Sequence, residues 1–141
     1  MRALRFHAQN DLRLDTVSAP DEPSGSDVVL EVAFCGICGT DLHEYLHGPI
    51  IVPQKPHPVS GASMPLILGH EFSAHIKAMG PQVRGLKIGQ RVAVLPHLMA
   101  KGEWCDRRNL GQFSPQTGLV GLTWHWGGMG EEVLLPSENV V

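Results

Sequence analysis

Long apolar runs are absent from this 141-residue chain. Segments such as Leu66–Leu68 and Val92–Leu95 fall far short of the roughly 20 residues that a membrane-spanning helix needs. A surplus of charge is lacking too: 11 lysines and arginines face 14 aspartates and glutamates, for a formal net charge of −3. That balance gives no electrostatic pull toward nucleic acid or anionic lipid, and the Arg107-Arg108 pair is too short to change it. Cysteine is scarce, at three residues, which excludes a disulfide framework, and no second Cys-x-x-Cys accompanies the one at Cys35 and Cys38. The Gly-x-Gly-x-x-Gly turn, which brings a dinucleotide pyrophosphate onto a helix N-terminus, occurs nowhere in these residues. Met1 runs straight into Arg2-Ala3-Leu4-Arg5-Phe6 without an apolar signal segment, so a cytoplasmic protein is expected.

What is plentiful is punctuation. Sixteen glycines and 11 prolines are spread along the whole length, a pattern that predicts one domain over residues 1–141 built of short strands and many turns. Alternation at Leu4–His7 and Leu12–Thr16, about Gln9-Asn10-Asp11, predicts an opening hairpin. The β-branched run Val28–Phe34 predicts a buried strand that delivers the chain to Cys35. Thr40–His47 reads as a short helix capped by Thr40 or Asp41 and ended by Gly48-Pro49. Residues 50–64 are broken by Pro53, Pro56, Pro58 and Gly61 and should be irregular. Further strands are expected at Phe72–Met79, Arg91–Leu95 and Glu132–Leu135, with a polar, irregular stretch over Ala100–Gly118. The fold class is therefore mainly β with short helices, and periodicity alone does not separate a barrel from a sandwich.

Chemistry concentrates in two stretches, Cys35-Gly36-Ile37-Cys38-Gly39-Thr40-Asp41-Leu42-His43 and Gly69-His70-Glu71. Cys38, His70 and Glu71 offer a thiolate, an imidazole and a carboxylate, a donor set suited to zinc with a position left open. Taken singly, a cysteine after a strand is usually a small core residue and a His-Glu pair usually lies on the surface. As an ordered set they resemble the zinc-dependent medium-chain alcohol dehydrogenases, most closely the butanediol and sorbitol dehydrogenase branch. Gly36-Ile37-Cys38-Gly39-Thr40-Asp41-Leu42-His43 matches that family's Gly-x-Cys-Gly-Ser/Thr-Asp-x-His, and Gly69-His70-Glu71 its Gly-His-Glu. Weaker matches follow in order at Glu44–Ile50, Val83–Val94 and Gly127-Gly128-Met129.

The resemblance implies a GroES-like, partly open β-barrel and a role for each residue. Cys38 and His70 become zinc ligands, and Glu71 a ligand or near-ligand. Thr40 becomes the hydroxyl that hydrogen-bonds the substrate oxygen at zinc. Asp41 becomes the carboxylate on the free nitrogen of His70. His43 becomes the outer end of a proton relay, which an imidazole suits. Cys35 is expected to pack rather than react. His47 and His57 are near enough in sequence to line a pocket, as are Trp104, Trp124 and Trp126 with Met99 and Met129, although tryptophans in so small a domain more often belong to the core.

Departures from the family pattern shape the functional expectation. Anchoring the family's structural-zinc spacing on Cys105 places Met99, Gly102 and Phe113 where cysteines should stand, so that lobe is expected to be metal-free, and either folded on apolar contacts such as Trp104 and Phe113 or mobile. Gln90 stands for the usual aspartate of a Gly-Asp-Arg-Val turn, and Ala78-Met79-Gly80 for Glu-Val-Gly. No nucleotide-binding motif is present, and the family's further zinc ligand and returning C-terminal segment would fall outside these residues. The expected cofactor is one zinc ion, with no NAD domain. The expected function is a stand-alone domain that uses zinc and a proton relay on a small alcohol or carbonyl compound without hydride transfer, by isomerisation, dehydration or cyclisation. The alternatives are an excised half of an NAD-dependent dehydrogenase, or a scaffold with a vestigial site. A homodimer, or a partner supplying the nucleotide domain, is expected to cover apolar surface and strand edges left open.

Overall fold

Alternating residues at the N-terminus pair as their periodicity predicts. Strands β1 (Arg2–Ala8) and β2 (Asp11–Thr16) run antiparallel, with Leu4 opposite Leu14 and Phe6 opposite Leu12. Asn10 closes the turn at φ 58°, a left-handed conformation that asparagine tolerates better than most residues. In this computed structural model, which describes residues 1–99, 102, 104–108, 110–114 and 116–141, a short strand β4 (Leu66–Ile67) joins the free edge of β1 to give the order β2-β1-β4. Phe6, Leu66, Leu68 and Leu122 form a small core beneath this sheet, joined by Val52 and Ala62 from the proline-rich excursion.

The larger sheet is built around β3 (Asp27–Cys35). It has the order β6-β5-β3-β9, where β5 is Phe72–Met79, β6 is Arg91–Ala93 and β9 is Glu132–Pro136. All its pairings are antiparallel. The β-branched content of β3 serves its burial: Val28 and Leu30 pack with Ile76, Val92, Val133 and Leu135, each large buried side chain contributing about 1.5–3 kcal/mol. Trp124 and Trp126 lean on this same cluster, and the Trp124 indole N–H donates to the Leu134 carbonyl at 2.9 Å. Both are partly buried at the margin of the core, and Trp126 also lines a surface cavity.

The polar segment after β6 is irregular over its described residues, as read from the sequence, but it is closed and anchored in ways the sequence did not show. A two-stranded ladder of β7 (His97–Leu98) and β8 (Gly118–Leu119) lies at its base, and single 3₁₀ turns occupy Asp106–Arg108 and Gly111–Phe113. Strands of two residues are too short to show any alternation. Trp104 and Phe113, expected to anchor the lobe, are 52% and 68% exposed, whereas Cys105 is 1% exposed. The Cys105 carbonyl accepts the N–H groups of Arg108 and Leu110, so the lobe turns on this small buried residue instead. The remainder of the expected irregular stretch, at 100, 101, 103, 109 and 115, lies outside the described residues.

The one α-helix among the described residues, α1 (Gly39–His47), is strapped to the hairpin turn. The Asn10 N–H donates to the Tyr45 carbonyl at 2.7 Å and the Gln9 side-chain amide to the Leu46 carbonyl at 2.6 Å. Its C-terminus is fixed by Glu44, only 1% exposed, whose carboxylate accepts the N–H groups of Ile50 at 2.9 Å and Ile51 at 2.5 Å. Glu44→Ala removes the acceptor for both donors, and an unsatisfied donor costs about 1–3 kcal/mol. The expected loss of stability is about 2–4 kcal/mol in equilibrium urea unfolding. An unchanged urea midpoint would show that the carboxylate is not what holds residues 50 and 51.

Candidate metal centre

The antiparallel register of β3 and β5 sets Cys35 opposite Phe72. The chain leaving β3 and the chain entering β5 therefore meet at one end of the larger sheet. The Gly36 N–H donates to the Glu71 carbonyl at 2.8 Å, which seats the Cys38 loop beside His70 and Glu71. Residues 32 apart in sequence (70 − 38) are joined in this way by tertiary structure.

One atom each from Cys38, His70 and Glu71 all lie within 4.8 Å of one another. Cys38 and His70 are half-buried and Glu71 is exposed, so the cluster is open to solvent on the carboxylate side. The N-cap of α1 is Cys38, not Thr40 or Asp41 as the sequence suggested. The reason is Asp41: its Oδ2 accepts the Cys38 N–H at 2.9 Å, so the carboxylate sits in the first turn and folds back on the cap. The capping bond is made to the backbone of the residue that carries the sulfur.

The other oxygen of Asp41 faces His70. Asp41 is 4% exposed, and its Oδ1 is 3.6 Å from His70 Nδ1. Both atoms are buried without a hydrogen-bond partner. Buried polar atoms are seldom left orphaned, and these two are orphaned face to face. With Nδ1 turned to Asp41, Nε2 is the nitrogen left for a metal, and a cation there would draw the Nδ1–H onto Asp41. A thiolate, an imidazole and a carboxylate backed by a second carboxylate fit a zinc ion.

Around this cluster the other expected residues divide. Thr40 Oγ1 lies 3.7 Å from Cys38 Sγ, so its hydroxyl borders the centre. His43 stands outside it, exposed on α1 with its ring edge-on to His47. His57 serves its own loop: its Nδ1 accepts the Val59 N–H at 3.3 Å, and burial holds its pKa below the ordinary histidine value. Cys35 packs under Gly69 and donates to the Gly36 carbonyl at 3.3 Å. Burial, with a smaller contribution from the Asp41 carboxylate, pushes its thiol up to about 11. It stays protonated at neutral pH and is a poor ligand or redox partner.

Sequence reasoning missed Glu44 as an anchor, and it missed a cavity of about 460 Å³ behind the cluster, lined by Cys35, Asp41, Leu42, Tyr45, Leu68 and Met129 among others. Of these, Met129 is among the residues expected from the sequence to line a pocket, and the structure places it in this one. The Met129 N–H donates to the Leu68 carbonyl at 2.9 Å.

Comparison with known proteins bears directly on this centre. The family described as "Alcohol dehydrogenase GroES-like domain" matches residues 24–141. The chain is 39% identical to the (R,R)-butanediol dehydrogenase of Bacillus subtilis over 139 residues, covering 98% of this chain and 39% of that protein. It is 38% identical over 135 residues to the (R,R)-butanediol dehydrogenase of Neisseria gonorrhoeae, covering 94% and 38%. The crystal structure of 2R,3R-butanediol dehydrogenase from Bacillus subtilis superposes with a TM-score of 0.90 at 37% identity, over 99% of this chain and 39% of that one. The chain thus spans about two-fifths of the length of these relatives.

Proposed function

The chain belongs to the alcohol dehydrogenase GroES-like domain family, and from that membership and the Cys38–His70–Glu71 cluster we propose a zinc-holding catalytic domain for small alcohols or carbonyl compounds. The observation that carries this reading is the approach of three unlike donor atoms to within 4.8 Å, backed by the orphaned pair of Asp41 Oδ1 and His70 Nδ1. Cys38 and His70 hold the ion, with Glu71 as third ligand or as the anchor of a water. Zinc, when bound, supplies Lewis-acid polarisation of a substrate oxygen. Asp41 fixes the His70 tautomer. Thr40 hydrogen-bonds the substrate oxygen and passes its proton on, and His43, three residues further along α1 and exposed, hands that proton to solvent.

With no dinucleotide-binding motif in these 141 residues, the work proposed for this domain alone is non-redox: enolisation of a carbonyl compound, leading to isomerisation, dehydration or cyclisation. The expected setting is the cytoplasm, with a second copy of the chain covering exposed apolar residues such as Ile37 and Leu42. Hydride transfer is a second reading, favoured by relatives that bear the name butanediol dehydrogenase and are spanned to only 38–39%. In that case NAD would be held by residues other than these.

The test is deuterium exchange at the carbon beside the carbonyl of a small α-hydroxyketone, followed by NMR, alongside calorimetric titration with NAD and NADP. Zinc-dependent exchange without nucleotide binding supports the non-redox reading, and saturable NAD binding by these residues contradicts it. Thr40→Ala should leave zinc content unchanged and slow the exchange roughly 10²–10⁴-fold, the ordinary worth of a positioned proton-transfer group. Loss of metal in that variant would mean that Thr40 supports the ion instead.

A further inference from the structure

Helix α1 carries a second arrangement of metal-binding side chains, outside the Cys38 centre. His43-Glu44-Tyr45-Leu46-His47 is a His-Glu-x-x-His sequence lying wholly within the helix. Its histidines are four residues apart and therefore share a face, one turn above the other. Both side chains are exposed, and their rings stand 6.2 Å apart between centroids at an interplanar angle of 65°.

In hydrolytic zinc sites the glutamate of this sequence acts as a base on the metal's water. Here it is committed elsewhere: Glu44 is 1% exposed, and both of its oxygens are taken by the N–H groups of Ile50 and Ile51. The arrangement keeps the chelating pair and loses the base. We propose that His43 and His47 form a two-imidazole binding site for a divalent transition-metal ion of the zinc, nickel or copper class, separate from the Cys38–His70–Glu71 centre and without hydrolytic activity.

The geometry is close to what chelation requires. With Zn–N distances of about 2.0–2.1 Å, two imidazoles sharing one ion have ring centroids roughly 5 Å apart. The observed rings must close by about 1 Å, which rotation of two exposed side chains allows. Imidazole nitrogen suits zinc, copper and nickel, and divalent copper should bind most tightly of the three. Position helps as well: His47 lies in the last turn of α1, where the helix dipole favours a cation. Water completes the coordination, because no third protein donor joins the pair among the described residues. One consequence rests on the proposed function: an ion on His43 occupies the imidazole that would carry the proton to solvent, so occupancy of this site would slow proton transfer.

Equilibrium dialysis of the full chain against micromolar zinc, followed by metal analysis, separates the two centres. Wild type should hold about two ions per chain, and Cys38→Ser and His47→Gln about one each. The ion kept by Cys38→Ser should be lost when His47→Gln is added. In the Cys38→Ser background, bound Cu²⁺ should give an electron paramagnetic resonance spectrum with nitrogen coupling that disappears in His47→Gln. Unchanged zinc in His47→Gln overturns the proposal, and so does an equal loss in His75→Gln, which would mark non-selective surface binding. Because loss of metal in Cys38→Ser alone reports only on the other centre, failure of that reading and failure of this one are told apart.

Discussion

Protein purified without chelator and without added metal should carry about one zinc per chain, and Cys38→Ser should carry none. Cys38 is the only soft donor in the cluster of Cys38, His70 and Glu71. A serine hydroxyl is a hard, protonated donor and cannot replace a thiolate on zinc. With the sulfur gone, one imidazole and one exposed carboxylate remain, fewer than the three protein ligands that a catalytic zinc site ordinarily has. Folding should survive, since the Asp41 bond that starts α1 is made to the backbone N–H of Cys38 and not to its sulfur. Cys105→Ser is the matched control: Cys105 is buried in another lobe, and its replacement should leave the metal content unchanged. A zinc content in Cys38→Ser equal to that of wild type would remove the basis for the centre, and zinc lost in Cys105→Ser would place a metal in the lobe around that residue.

Much of this arrangement was legible in the sequence, and the parts that were not have physical causes. Alternation revealed β5, which buries every second residue over its first half, and the opening hairpin of β1 and β2, while β3 was legible from its β-branched run, whose Val28, Val29 and Leu30 are all buried. The two motifs pointed to Cys38, His70 and Glu71, and the resemblance supplied the expectation that Asp41 partners His70, whose facing atoms stand 3.6 Å apart without a hydrogen bond. The helix start was misplaced because Thr40 and Asp41 are common cap residues, whereas here Asp41 acts from inside the first turn on Cys38. Trp104 and Phe113 looked like anchors on hydrophobicity alone. Their exposure shows that a small lobe is turned by backbone bonds to the Cys105 carbonyl rather than by large side chains. Glu44 gave no sign because a buried carboxylate with only backbone partners has no charged residue opposite it to pair with in sequence. Two-residue strands such as β7 and β8 fall below the length at which any pattern exists.

Gly69→Ala should damage both stability and metal binding, by a loss of roughly 2–5 kcal/mol in urea unfolding, as left-handed strain of about 1–2 kcal/mol adds to overpacking of about 1–3 kcal/mol. Gly69 has φ +97°, and an added Cβ would stand 2.7 Å from both Cys35 Sγ and the Met129 nitrogen. Neither neighbour is free to retreat. Cys35 is the last residue of β3, and the Met129 N–H is bonded to the Leu68 carbonyl. The carbonyl of Gly69 itself accepts the Gly128 N–H at 2.8 Å, and it lies so close to Gly121 that a Cβ there would meet it at 2.0 Å. Three segments of backbone are therefore pressed together one residue before His70. Movement to relieve the clash has to displace His70 from Asp41, so the same variant should lose zinc. Gly85→Ala isolates the conformational part, because Gly85 also has a positive φ, +77°, but nothing lies within 4 Å of its added Cβ. That variant should cost only the conformational strain, about 1–2 kcal/mol, and keep its metal. If Gly69→Ala proves as mild as Gly85→Ala and retains zinc, the close packing of residues 69, 121 and 128 is not what positions the histidine.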